Sequence, residues 1–63
     1  MEFANYSIAK MNDDGTLVVL DSSDTYAKAS DKLDAYCDRY PEAYVDVYSR
    51  SFLRNCEVVQ WRS

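Results

Sequence analysis

Sixty-three residues with 48% hydrophobic content, six Tyr, two Phe and one Trp have apolar surface to bury, which excludes a disordered chain and allows one domain, residues 1–63. A domain of this length buries only about 60% of the surface its unfolded chain exposes, so a large pocket would consume its core. Seven basic against eleven acidic residues give net −4, a balance that repels phosphate backbones and makes nucleic acid a disfavoured partner.

Phe3 to Met11 alternates weakly, with Ala4, Tyr6 and Ile8 on one face and Asn5, Ser7 and Ala9 on the other, as a half-buried strand does. Asn12-Asp13-Asp14-Gly15 supplies turn formers and a glycine able to take positive φ, and Thr16 to Leu20 follows with β-branched and aliphatic residues. The two runs predict a β-hairpin.

Ser22 to Pro41 reads as one amphipathic helix. Ser22, Ser23 and Asp24 offer N-caps, and Pro41 should end the helix near Arg39. At about 100° per residue, Tyr26, Ala29, Leu33, Tyr36, Cys37 and Tyr40 fall within one arc, which must face a sheet. Alternation resumes over Ala43 to Tyr48, with Val45 and Val47 the better candidates for the helix side. Ser49 to Asn55 is either a turn into a fourth strand, Cys56 to Trp61, or the middle of a bent extension; the strand composition of Glu57 to Trp61 favours the hairpin.

The fold class expected is therefore α+β, a small antiparallel sheet of three or four strands with one helix on one face, in the order β-β-α-β with a possible terminal β. One helix covers one face of a sheet, so the other face is expected to lie open to solvent or a partner.

The chain has no histidine, which removes the commonest general base and the Ser-His and Cys-His nucleophile pairs. Two cysteines alone cannot close a structural zinc site. Cys37, on the apolar arc and far from the helix N-terminus, is expected to be a buried inert thiol, and Cys37 and Cys56 are expected to stay unpaired. Lys10 to Asp21 has Asn12, Asp14 and Gly15 at calcium-loop spacings but Lys10 at the first ligand position and Asp21 at the last, so turn chemistry accounts for it. These residues predict no catalytic site, no metal and no cofactor. The absence of an apolar run near 18 residues and of a signal-peptide pattern predicts a cytoplasmic chain without a membrane partner.

Charge is unevenly spread. Residues 1–48 hold four bases against ten acids, a net of −6, whereas 49–63 hold Arg50, Arg54 and Arg62 against Glu57. On the helix, Asp24, Asp31, Asp34 and Asp38 gather on one flank, and Lys28, Lys32 and Arg39 on the other. A solvated face would account for this; the sharper reading is an acidic stripe that meets a basic protein surface. Tyr6, Tyr26, Tyr36 and Tyr40 fit core-facing or core-edge positions, with the ring buried and the hydroxyl reaching solvent. Tyr44 and Tyr48, with Phe52 or Trp61 and with Arg50 and Arg54, fit the open face or its edge, in the residue types that dominate hot spots. The candidate partner-binding residues are Asp31, Asp34, Asp38, Tyr44, Tyr48, Arg50, Arg54 and Trp61. A homodimer through open faces or edge strands is the alternative use of the same surface.

With its hairpin, capped helix and the run Cys37-Asp-Arg-Tyr-Pro41-Glu-Ala-Tyr-Val-Asp-Val47, the chain resembles the small accessory proteins of tailed phages, including those of cyanobacteria. In element order and length, over residues 3–50, it is also similar to the small inhibitor of bacterial RNA polymerase from short-tailed coliphages, a β-β-α-β protein that docks by an acidic helix flank and arginines on its last strand. The resemblance implies a non-enzymatic protein that binds and inhibits or redirects a host bacterial protein, such as RNA polymerase or a defence component, in the host cytoplasm.

Overall fold

The computed structural model describes residues 4–56 and 59–61, with the side chain of Trp61 outside that part. Its elements are β1 (Tyr6–Met11), β2 (Leu17–Ser23), α1 (Tyr26–Arg39), β3 (Tyr44–Ser49), α2 (Arg50–Arg54) and β4 (Val59–Trp61). The four strands form one sheet in the order β3-β1-β2-β4. The chain is α+β as expected. Phe3, Glu57 and Val58, which the sequence reading assigned to strands, lie outside the described residues.

The hairpin turn follows from its side chains. Gly15 takes a φ of 87°, its N–H donates to the Asn12 carbonyl at 3.0 Å, and the Asn12 N–H donates to the Thr16 carbonyl at 2.8 Å. Asp14 Oδ1 accepts from the Thr16 N–H at 2.9 Å, and the Thr16 hydroxyl and amide hold the Asp14 carboxyl below its ordinary value. A side chain at Gly15 would meet nothing within 4 Å, so only the left-handed backbone selects glycine there.

β1 and β2 are antiparallel, and their register slips between Ile8 and Ala9: Ala9 faces Val19, but Ile8 faces Asp21. Leu20 is thus the extra residue of a β-bulge. Without it, Asp21 would share a face with Leu17 and Val19. The bulge swings it to the opposite face, where α1 lies. β2 continues through Ser23, paired with Tyr6, so Ser22 and Ser23 are strand residues and the N-cap is none of the three expected. Thr25 caps instead, its Oγ1 accepting from the Lys28 N–H at 3.2 Å. The C-terminus falls where Pro41 requires, with Tyr40 out of the helical region at φ −123°.

β2, α1 and β3 make a crossover that leaves β1 between two strands parallel to each other. β3 pairs with β1 so that Ile8 faces Val47 and Lys10 faces Val45, which puts both valines on the α1 side. Ile8 and Ala29 are fully buried there, and Leu33, Tyr36 and Tyr40 are half-buried. The arc is narrower than the periodicity implied. Tyr26 overhangs the sheet end at 60% exposure, touching Tyr6 edge-on at 5.7 Å. Cys37 stands on the rim of the arc and is exposed, not buried.

The second face is not open. β3 ends beside Tyr6, whereas β4 starts beside Leu17 at the other end of the sheet and runs parallel to β2. The sheet is therefore mixed, and β3 and β4 form no hairpin, since they are opposite edges about 14 Å apart at ordinary strand spacing. The chain must return across the sheet between them, and the segment read as a turn becomes α2 to do so. Ser49 caps it, Oγ accepting from the Phe52 N–H at 3.2 Å. Leu53, 1% exposed, seals Ala9, Leu17 and Val19, with Tyr48, Cys56 and Val59 packed around them. A single copy thus covers the middle of both faces.

Ser7 is fully buried on this α2 side, and its hydroxyl has no hydrogen-bond partner among the described residues. A buried hydroxyl without a partner costs more than a methyl of similar size. Ser7→Ala is therefore expected to raise the unfolding free energy by about 1 kcal/mol, read from the urea midpoint at unchanged slope.

Candidate functional site

Two surfaces hold the residues singled out from the sequence, and they lie on different layers. The first is the crest of α1. Asp31, Asp34 and Asp38 are all exposed and lie opposite the Ala29, Leu33 and Tyr36 stripe. Two of the three cations of the same helix are drawn the other way, while Lys28 stands exposed near its start. Lys32 Nζ lies 3.6 Å from Asp21 Oδ1 and donates to the Ser22 carbonyl at 3.2 Å. Arg39 sits 5.8 Å from the Tyr36 ring centre. Among the described residues the Lys32 to Asp21 contact is the one ion pair, so the crest keeps its charge.

Asp21 explains this polarity. The bulge aims it under α1, where burial opposes its ionisation. The Ser22 N–H at 2.7 Å, the Tyr36 hydroxyl at 3.1 Å and Lys32 outweigh that burial and hold the carboxyl below its ordinary value of 3.8. A carboxyl depressed in the folded state adds stability that is present above the unfolded-state pKa and is lost as pH falls through the folded value. Stability should therefore decline below about pH 4, and Asp21→Asn should flatten that decline in thermal melts taken from pH 5 to pH 2.

The second surface runs along β3 on the α2 side. Tyr44, Asp46 and Tyr48 share this face, and Met11 lies across from Tyr44. Tyr44 is 62% exposed and Met11 39%; together they wall a shallow cleft of about 590 Å³ with Lys10, Asn12 and Glu42. Tyr48 is half-buried and stacks on Phe52 at 5.1 Å. Its hydroxyl pKa is pushed up, first by burial and then by the Asp46 charge. Asp46 uses both oxygens: Oδ1 accepts from the Val47 N–H at 2.7 Å, and Oδ2 accepts from the Tyr44 hydroxyl at 3.4 Å.

Arg50 and Arg54 are exposed on α2, Arg50 next to Ser49 and Asn5. They share a layer with Tyr44 and Tyr48. Trp61 does not join them, because β4 is the far edge of the sheet. The eight residues thus divide into an acidic crest on one layer and a Tyr and Arg group on the other, with Trp61 apart. The edge of β3 runs between the two main groups. The sequence places Asp46 on the face of Tyr44 and Tyr48 but does not single it out as a binding residue, although it is the charged centre of the symmetric run Tyr44-Val45-Asp46-Val47-Tyr48, which is the signal that could have found it.

Cys37 and Cys56 are free thiols on opposite layers, and Cys56 Sγ donates to the Phe52 carbonyl at 3.3 Å. Among the described residues no three acidic or thiol groups are placed to hold a metal ion, and no helix is long and apolar enough to cross a membrane. No protein-family model, curated protein or solved structure matches the chain.

Proposed function

We infer that the protein is a small, non-enzymatic binding protein of phage type that docks on a host bacterial protein through the acidic crest of α1 and inhibits or redirects it. The observation that carries this reading is the row Asp31, Asp34 and Asp38, exposed on one line of the helix and in no ion pair among the described residues, while Lys32 is drawn to Asp21 and Arg39 lies over the Tyr36 ring. Opposite charge on a partner raises the encounter rate and sets orientation. The host assignment, RNA polymerase or a defence component, comes from the likeness in element order to the phage inhibitor, which is an analogy of fold.

Affinity capture from bacterial lysate tests it. A defined host protein should be retained, released by raised salt, and lost when Asp31, Asp34 and Asp38 are all changed to Lys. Retention of the same protein by the reversed variant would remove the crest from the reading. The unpaired edge of β3 favours a second reading, a homo-oligomer built edge to edge. Sedimentation at micromolar concentration separates the two, since a monomer excludes the oligomer.

A further inference from the structure

β3 is a six-residue edge strand, and its outer side is defined by the ladder on its inner side. The Arg50 N–H donates to the Asn5 carbonyl at 3.0 Å, and in an antiparallel pair the inward and outward groups alternate. The N–H and C=O groups of Val45, Val47 and Ser49 therefore point away from β1. The Val47 N–H is the central outward donor, and the Asp46 carboxylate takes it at 2.7 Å. The side chain occupies the place of a missing strand's carbonyl. A carboxylate at an edge protects it against chance pairing, but this one also accepts from the Tyr44 hydroxyl, with Tyr48 two residues on along the same face.

We propose that the outer edge of β3 accepts an extended segment of a partner protein that carries an arginine or lysine opposite Asp46. This deepens the reading of the chain as a protein-binding module and names what the partner presents. On pairing, the Val47 N–H passes from Asp46 to a carbonyl of the incoming strand. The freed carboxylate then takes the cation, with the Tyr44 and Tyr48 rings on either side for its stem and charge. The neighbours two residues before and after the cation lie directly across from the same rings, so valine or isoleucine suits them. Because Tyr44 to Tyr48 is symmetric about Asp46, strands of either direction find the same order of groups. Charge selects a basic strand over a second copy: the net is −4, and the exposed Asp31, Asp34 and Asp38 lie on α1, which packs against β3. Edge-to-edge pairing of two copies would bring both acidic crests together.

The probe is a blocked seven-residue peptide with arginine fourth, valine second and sixth, and threonine elsewhere, titrated into the isotope-labelled full chain. Saturable amide shifts are expected at Val45, Val47 and Ser49, largest at Val47. The same peptide with glutamate in the fourth place should bind at least tenfold more weakly. Asp46→Asn keeps the amide acceptor and removes the charge, so it should cancel that preference while leaving the shifts in place. A chain made synthetically with N-methyl valine at 47 should lose the shifts altogether.

Shifts confined to α1 or to the Met11 and Tyr44 cleft, equal binding of the glutamate peptide, or micromolar dimerisation of the free chain through these same amides would each overturn the proposal. No host protein is present in this titration. Its failure alongside crest-dependent capture sinks only the edge, and its success alongside capture indifferent to the crest sinks only the role of α1.

Discussion

Leu53→Ala is expected to lower the unfolding free energy by about 2–4 kcal/mol, the usual cost of deleting a fully buried leucine side chain and leaving its cavity. A domain of this size has only about 3–5 kcal/mol in total, so much of the protein should be unfolded at 37 °C. The size of the effect comes from position. Leu53 is the one buried residue of α2 and the cap over Ala9, Leu17 and Val19, so its loss uncovers that layer at once. The stack of Phe52 on Tyr48 remains, but Phe52 is half exposed and cannot replace the buried contact. Amide exchange should accelerate first in β2 and β4, and Leu53→Met, which conserves volume, should restore most of the loss. A wild-type urea midpoint for Leu53→Ala would mean that α2 does not seal this face.

That layer is also where the sequence was least legible. The hairpin and α1 announce themselves through period: alternation over residues 6–11, a turn whose Asn, Asp and Gly have defined backbone roles, and an apolar stripe ended by Pro41. α2 has no period to read, because five residues make little more than one turn. Its signals are a Ser49 cap and the pair Phe52-Leu53 among polar neighbours. The parallel pairing of β4 depends on where the chain must return, which local composition does not encode. The bulge at Leu20 was hidden for a related reason, since an extra residue changes the face of Asp21 without changing the character of the run. Cys37 shows the limit of an arc drawn on a wheel, because a narrow sheet buries the centre of the stripe and leaves its rim wet.

The candidate site was legible in its charges and not in its geometry. Asp31, Asp34 and Asp38 stand on one line of α1 because residues three and four apart share a helix face, which spacing alone reveals. What spacing could not reveal is that Lys32 is drawn toward Asp21, or that Tyr44 and Tyr48 are separated from Trp61 by the full width of the sheet. An uncovered sheet face was expected to be the working surface. The crossing of α2 moves that expectation to the crest of α1 and the rim of β3.

Ile8→Ala should be comparably damaging, at about 2–4 kcal/mol, and acts on the other layer. Ile8 is fully buried beneath α1 with Ala29, and its cross-strand neighbours are Asp21 and Val47. A 14-residue helix is marginal in water when isolated, so α1 owes its order to this contact. Ile8→Val should cost only about 1 kcal/mol. The variant also separates folding from docking. The acidic crest points away from Ile8, so the folded fraction of Ile8→Ala presents the same charges. At a temperature where circular dichroism shows that fraction to be high, the variant should bind a partner with unchanged affinity and a reduced number of active molecules. The Asp31, Asp34 and Asp38 reversal should do the opposite, keeping the melting curve and losing the affinity. If Ile8→Ala weakened affinity while fully folded, the partner would be reading the seating of α1 on the sheet as well as its charge.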